Sequence, residues 1–134
     1  MASELRVNTL KDAAGNNSIA TSFVAGGSAK AWVNFNGQGT IASRSSLNVT
    51  SLADNGTGDY TISISSSFSD ANYTLGTYCA ATPTSANFNN RIFGSSEKAA
   101  GSHRQAAGYV SSTVGGIAAY DNEINDIIFM GDLA

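Results

Sequence analysis

The sequence Tyr60-Thr-Ile-Ser-Ile-Ser65 alternates regularly between apolar and polar residues. Its even positions, Tyr60, Ile62 and Ile64, are apolar, and the residues between them are polar. Successive side chains of a β-strand point to opposite faces of the sheet. The pattern therefore predicts a strand with one face in a core and the other in water.

The residues before this strand predict its partner. The stretch Asp54-Asn-Gly-Thr-Gly-Asp59 is dense in residues that favour turns. Upstream of it, Ile41, Leu47 and Val49 occupy positions of one parity, which indicates a strand over residues 41–50. We therefore predict an antiparallel hairpin with a wide loop.

Further strands are predicted along the chain, and their starts are spaced by roughly 8–14 residues, as in sandwiches and barrels. The only proline, Pro83, lies in a predicted loop, where it costs the sheet no hydrogen bond. We predict an all-β fold, an antiparallel β-sandwich of jelly-roll-like type. The additional strands are Leu5–Leu10, Ala29–Asn36, Asn72–Ala81, Asn87–Phe93, Gln105–Ser112, Ile117–Tyr120 and Asp126–Gly131.

Length and charge exclude several classes of protein. The chain has 134 residues, enough for one domain, and its formal net charge is −3. Nucleic-acid binding needs clustered Lys and Arg, whereas the seven basic residues here are scattered, so we expect no nucleic-acid partner. No stretch approaches the about 20 apolar residues that span a bilayer, and no apolar signal segment is visible. We expect no membrane insertion, and synthesis in the cytoplasm.

Catalytic and metal-binding patterns are missing from the sequence. One cysteine, Cys79, and one histidine, His103, exclude an intrachain disulfide and a zinc site built from these residue types. His103 lies in a predicted polar loop, and no Gly-x-Ser-x-Gly elbow accompanies it. The acidic segments 54–59 and 121–126 depart from the EF-hand pattern and are interpreted as turns. We expect no enzyme activity, no cofactor and no metal.

Two predicted strands carry bulky apolar residues on both faces. Trp32 lies on one face of its predicted strand and Val33 and Phe35 lie on the other, and residues 127–130 are all apolar. A strand that is apolar on both faces has something packed against each of them. We predict that a neighbouring subunit covers the second face; the alternative is a loop of the same chain. The predicted oligomer interface consists of Trp32, Phe35, Ile128 and Met130.

Residues 1–28 are predicted to form an N-terminal arm, and residues 29–134 the sandwich domain. In the arm, residues 5–10 indicate a strand, residues 12–18 a turn and residues 19–24 a second strand. Gly26-Gly27 would then act as a flexible joint. The arm either pairs with other chains, docks onto a larger assembly, or is the first hairpin of the sandwich.

A candidate binding region begins at Thr82. Residues 82–104 are polar and loop-like, and long loops on a rigid sheet often carry binding sites. Sugars are held by aromatic faces and by planar polar groups such as those of Asn and Arg. The predicted receptor-binding residues are Asn87, Phe88, Asn89, Arg91, His103 and Arg104. Alternatively, Phe88 belongs to the core.

Four blocks of sequence together resemble one protein family. They are Ala31-Trp-Val-Asn-Phe-Asn-Gly-Gln-Gly-Thr40, Arg44-Ser-Ser-Leu-Asn-Val-Thr-Ser51, Asp54-Asn-Gly-Thr-Gly-Asp-Tyr-Thr-Ile62 and Ser69-Asp-Ala-Asn-Tyr73. This combination resembles bacteriophage tail-fibre proteins, especially those of cyanophages and other aquatic phages. The segment Glu4–Ile19 is similar to the one that precedes these blocks in such fibres. The resemblance is close over residues 4–75 and loose beyond them.

The resemblance implies a virion protein without enzyme activity, a homotrimer whose distal β-sandwich meets the host surface. The chain departs from the family in size, because such fibres usually carry a shaft or an attachment domain before this module. We therefore expect a tail-fibre subunit in the virion, assembled in the host cytoplasm. It would contact other tail, baseplate or capsid proteins and a host cell-surface glycan.

Two other functions compete with this expectation. A capsid head-fibre or decoration protein would have a purely structural role, and its residues 82–104 would bind no ligand. A glycan hydrolase would depend on His103, Glu97 and Glu123, although the scattered carboxylates give no sign of a pair opposed across a groove.

Overall fold

The protein is described from a computed structural model, for residues 3, 5–82, 91–111 and 116–134. These ranges contain eleven strands and one short helix. Every pair of strands in them is antiparallel. The predicted all-β class with antiparallel pairing is confirmed.

A four-stranded sheet collects strands from distant parts of the chain. It contains β3 (Ala31–Asn36), β4 (Ala42–Leu47), β7 (Thr74–Ala80) and β11 (Ile124–Met130). The spatial order is β4-β3-β11-β7. The strand nearest the C-terminus therefore lies between the first and the fifth of the strands that follow the arm.

A five-stranded sheet is built around one long central strand, β9 (Ser102–Ser111). One edge of β9 pairs with β8 (Arg91–Ala99), and its other edge pairs first with β6 and then with β10. The strand β5 pairs with the outer edge of β6. The remaining bounds are Val49–Gly56 for β5, Asp59–Ile64 for β6 and Gly116–Ala119 for β10.

A single residue, Asn48, separates β4 from β5 and moves the chain from one sheet to the other. Its φ of 56° lies in the left-handed region, which Asn tolerates better than most residues. The side-chain amide donates to the carbonyls of Lys30 and Ser66, at 3.1 Å each, and accepts from the Ser66 N–H at 2.7 Å. The prediction of one strand over residues 41–50 was wrong, because this corner divides it.

The turn between β5 and β6 is tight, and the predicted wide loop was wrong. Gly56 pairs with Asp59, which leaves Thr57 and Gly58 at the turn. Gly58 has a φ of 66°, and a Cβ atom there would overlap the carbonyl oxygen of Ala107. Glycine is therefore required at this position by both backbone conformation and space.

One hydrophobic core receives side chains from both larger sheets. Phe35 of β3 meets Tyr60 of β6 edge to face, with ring centroids 5.2 Å apart. The alternation predicted for β6 is confirmed, since its even positions are buried and its odd positions are partly exposed. The core cluster consists of Ala31, Val33, Phe35, Tyr60, Ile62, Ile64, Phe68, Tyr73, Ala107, Ile127 and Phe129.

The N-terminal part forms a small hairpin and a short helix. The strands β1 (Thr9–Leu10) and β2 (Ile19–Ala20) pair only with each other, and α1 covers Thr21–Gly27. The predicted strand over residues 19–24 was wrong beyond Ala20, because no strand of the described residues pairs there and helical hydrogen bonds satisfy the backbone instead. No described residue before Ala31 is buried. No helix in the described ranges is long and apolar enough to cross a bilayer.

Candidate functional site

The segment predicted as a binding loop is largely a strand. Residues 91–99 form β8, which pairs with β9 from Arg91–Tyr109 to Ala99–Ser102. Only Ala100 and Gly101 separate the two strands. The loop prediction was wrong over these residues, because the backbone ladder to a central strand holds β8 in place although its sequence is polar.

Three of the six predicted receptor-binding residues, Asn87, Phe88 and Asn89, lie outside the described residues, as does the side chain of Arg91. The other two, His103 and Arg104, are consecutive on β9. Their side chains therefore point to opposite faces of the five-stranded sheet.

His103 belongs to the core and has no exposed surface. Its ring centroid lies 5.7 Å from that of Phe129 and 6.2 Å from that of Tyr73, and Nε2 is 2.9 Å from Oε1 of Gln105. Burial lowers the pKa of His103, and the hydrogen bond with Gln105 opposes that shift only in part. The predicted receptor contact through His103 is corrected accordingly, since a neutral, enclosed imidazole does not reach a ligand.

Arg104 lies on the outer face of the sheet and pairs with Asp59 of β6. Its Nε donates to Oδ1 of Asp59 at 2.9 Å and its Nη2 to Oδ2 at 2.6 Å, the two-bond geometry in which a guanidinium matches a carboxylate. The hydrogen bond from Arg104 lowers the pKa of Asp59, so both groups are charged at neutral pH.

A recess of about 230 Å³ lies beside this pair and includes Arg104 in its lining. We call it the polar recess; four strands line it, through Asn55, Thr61, Glu97, Ser102 and Arg104. The Asn55 amide donates to Oγ1 of Thr61 at 2.8 Å and to Oδ1 of Asp59 at 3.4 Å. The recess is therefore an ordered array of hydroxyl, amide, carboxylate and guanidinium groups.

Sequence reasoning found Arg104 but missed Asn55, Thr61 and Ser102. Thr61 was visible as an outward position in the alternation of β6. Its position beside Arg104 depends on the register between β6 and β9, which no local pattern reveals.

A shallow hollow of about 380 Å³ lies next to the polar recess on the same sheet. Asp59 borders this apolar hollow and is the partner of Arg104 in the recess. Small residues form its floor, and the exposed Ile117 forms one wall. The lining consists of Thr57, Gly58, Asp59, Gly94, Ala106, Ala107, Gly108, Ile117 and Ala119.

The outer face of the four-stranded sheet is apolar. Leu47 lies opposite Trp32, and Trp32 lies opposite Ile128, so these side chains form one row across three strands. Leu47 is 49% exposed, Ile128 45% and the neighbouring Tyr78 47%, so the described part of the chain leaves them uncovered. We call Trp32, Leu47, Tyr78 and Ile128 the apolar band.

The predicted oligomer interface is divided by the structure. Trp32 and Ile128 are on the outer face, and Met130 has the same parity on β11 and is half-buried. Phe35 is fully buried in the chain's own core. Its assignment to an interface is corrected, because it points away from any neighbour. Whether a subunit covers the other three stays a prediction.

Asp121 and Glu123 have structural roles. Oδ1 of Asp121 accepts from the Tyr60 hydroxyl at 2.8 Å and from the Gly58 N–H at 2.7 Å. Glu123 pairs with Arg44, at 3.4 Å between Oε1 and Nη2. No group of three or more His, Cys, Asp or Glu side chains within the described ranges is placed to hold a metal ion.

The residues of the hydrolase hypothesis do not converge on one site. Glu97 lines the polar recess on the outer face of the five-stranded sheet, whereas His103 is enclosed beneath that sheet. Glu123 pairs with Arg44 of β4 in the other sheet.

Comparison of the chain with models of known protein families, with curated proteins and with solved structures gives no match.

Proposed function

We propose that the protein is a structural subunit of a bacteriophage fibre, which assembles into a homotrimer and contacts a glycan on the host surface. The observation that carries the proposal is the apolar band: Trp32, Leu47 and Ile128 lie in one row across an exposed sheet face. The family resemblance supplies the biological setting, and its blocks include Trp32 and Leu47.

The apolar band has the character of a protein interface. Contiguous exposed apolar surface on a small protein marks an interaction site. Interface centres favour Trp and Tyr and contain few charges. Asp126, a charged group beside the band, is hydrogen-bonded to Asn34. These properties favour burial against another protein surface over contact with water.

We further propose that the two larger sheets form an antiparallel β-sandwich of jelly-roll-like type. In support, both sheets contribute to one core, and the chain passes between them after β4, β6, β7 and β10. Such repeated crossings are typical of Greek-key and jelly-roll connections.

The arm supports attachment to other virion proteins. It contains exposed apolar side chains, among them Leu5 at 81% and Phe23 at 73% exposure, and the described part of the chain buries none of them. A segment that is apolar and uncovered is suited to docking on a larger assembly.

Mass measurement in solution tests the assembly. We expect light scattering to give about three times the 13.7 kDa of one chain, and the Trp32→Ser/Ile128→Ser double variant to be monomeric. Val110→Ser is the matched control, because Val110 is 44% exposed on the other sheet and outside the band. A wild-type monomer at micromolar concentration would contradict the proposal.

Localisation on the particle tests the setting. A label on the folded chain should mark the distal end of a virion fibre, whereas labelling over the whole capsid surface would favour the decoration protein. A decoration protein would share the band and the arm, and it would have no use for a ligand site.

A further inference from the structure

We infer that the polar recess and the apolar hollow together bind one end of a neutral glycan, with the hydroxyls of a sugar ring in the recess and its C–H face over the hollow. The role of this site in host attachment rests on the proposed function. The binding itself depends only on the geometry of the five-stranded sheet.

Two adjacent cross-strand rows create the site. In one row, Glu97 lies opposite Arg104, and Arg104 lies opposite Thr61. In the next row, Gly94 lies opposite Ala106, and Ala106 lies opposite Asp59. Residues two apart on a strand are about 7 Å apart. A polar row and a row that contains the small residues Gly94 and Ala106 thus lie side by side, at the spacing of one sugar ring.

The polar groups are ordered before any ligand arrives. Asp59 holds the guanidinium of Arg104 through two hydrogen bonds, and Asn55 is held by Thr61. A guanidinium has five N–H donors, so three remain for a ligand after Asp59 is satisfied. Side chains that are already fixed lose little conformational entropy on binding, which favours recognition of a weakly held hydroxylated ligand.

The charge of the site selects against acidic ligands. Arg104 contributes one positive charge, whereas Asp59 and Glu97 contribute two negative ones, so the local sum is −1. A phosphate, sulfate or carboxylate group would be repelled by that sum, while the vicinal hydroxyls of a neutral sugar both donate to carboxylates and accept from a guanidinium. The site therefore fits a neutral sugar better than an acidic one.

The apolar hollow supplies the second half of sugar recognition. The floor residues Gly94 and Ala106 leave space above the sheet, and Ile117, 69% exposed, provides an apolar wall. Burial of apolar C–H surface there adds a favourable term that hydroxyl contacts alone do not supply. The recess and the hollow, about 230 and 380 Å³, lie near the lower size limit of ligand pockets, about 300 Å³, so together they suit one terminal sugar ring.

The test is a titration of the isotope-labelled full chain, followed by protein NMR. The probes are four neutral disaccharides (lactose, maltose, cellobiose and chitobiose) and one acidic trisaccharide, sialyllactose. We expect at least one neutral sugar to shift the amide signals of Asn55, Thr61 and Arg104, and sialyllactose to leave them unchanged.

Two variants and one control locate the site. Arg104→Ala removes the donors, and Ala106→Leu fills the hollow without a change in charge; each should weaken binding by about tenfold or more. Arg44→Ala is the matched control, since Arg44 also pairs with a carboxylate at an exposed position but belongs to the other sheet. Its affinity should equal that of the wild type.

Three results would overturn the inference: no neutral probe binds at millimolar concentration, binding persists unchanged in both Arg104→Ala and Ala106→Leu, or only sialyllactose binds. A monomeric chain that still binds neutral sugar at Arg104 would contradict the proposed fibre subunit and leave this inference standing. A trimer that binds none of the probes would contradict this inference and leave the proposed fibre subunit standing.

Discussion

The outer faces of the two larger sheets differ although their inner faces are alike. Both inner faces are apolar and meet in one core. Outside, the four-stranded sheet presents Trp32, Leu47 and Ile128, while the five-stranded sheet presents the polar Thr61 and Arg104 and the exposed apolar pair Val110 and Ile117. The same architecture therefore carries a surface suited to protein and a surface suited to water or sugar.

The difference between the two outer faces follows from the alternation of apolar and polar residues along single strands. In β6 every second residue is apolar, and the outer positions meet solvent. In β11 the alternation fails, because Ile128 is as apolar as its buried neighbours Ile127 and Phe129. A regular alternation thus marks a face for solvent, and its interruption marks a face that another protein can cover.

The largest expected effect tests whether the inner faces are equivalent. Phe129→Ala in the four-stranded sheet and Ile62→Ala in the five-stranded sheet each remove a fully buried side chain. We expect losses of about 3–5 and about 2–5 kcal/mol in the free energy of unfolding, measured by urea denaturation. A loss below about 1 kcal/mol for either variant would show that its sheet does not depend on the shared core.

The next effect concerns association and separates the outer faces. Trp32→Ser should weaken self-association by about 2 kcal/mol or more, since buried Trp residues dominate interface energies. The melting temperature of the wild type should rise with protein concentration, whereas that of Trp32→Ser should not. Thr61→Ser, on the other outer face, should retain the concentration dependence of the melting temperature. Loss of that dependence in Thr61→Ser would instead place the subunit interface on the five-stranded sheet.

A pH effect should arise from the inner face of the five-stranded sheet. The folded pKa of His103 lies below its ordinary value of 6.5, chiefly because of burial. The unfolded chain therefore binds more protons below about pH 6.5, so stability is full above that pH and falls as the solution is acidified. The slope should approach about 1.4 kcal/mol per pH unit, the limit for one proton.

Denaturation of His103→Gln at several pH values checks this expectation. Glutamine does not titrate, so its stability should be nearly constant between about pH 5 and pH 6.5. Lys98, which lies over the Tyr73 ring near His103, is present in both proteins, so the comparison isolates the imidazole. Equal slopes in wild type and variant would exclude His103 as the cause.

The smallest effect is expected at the polar recess. Arg104 and Asp59 are exposed, and ion pairs on a surface contribute little to folding. Arg104→Ala should therefore leave the urea midpoint at pH 7 unchanged. Because Arg104 lowers the pKa of Asp59 from 3.8, any stability from the pair is present above that pH and lost as the pH falls below it. A clear shift of the midpoint at pH 7 would mean that the recess is part of the folding core.

The sequence predicted the fold class because the signals for it are local. The alternation over Tyr60–Ile64 and the two-faced apolar runs at Trp32 and Ile128 depend only on neighbours along the chain. The corner at Asn48 was missed, because one left-handed residue leaves no mark on hydrophobic periodicity. The helix at Thr21–Gly27 was missed for a related reason, since Phe23 and Val24 favour strands but find no partner strand.

The candidate site was less predictable than the fold because it depends on register. Ser102-His-Arg-Gln-Ala106 contains no apolar alternation, so nothing local assigned His103 to the core and Arg104 to the surface. The polar recess joins residues from position 55 to position 104, and strand pairing alone brings them together. The register between distant strands therefore limited how much of the site could be predicted from the sequence.

The position of β3 has a mechanical consequence. The arm leads directly into β3, which is held between β4 on one edge and β11 on the other. Ladder hydrogen bonds run perpendicular to the strands, so tension along the arm stretches both ladders in shear and must break many bonds at once. A force that pulls on the arm would thus be resisted by the hydrogen bonds on both sides of β3. Because β3 is not an edge strand, it cannot be peeled from the sheet one bond at a time.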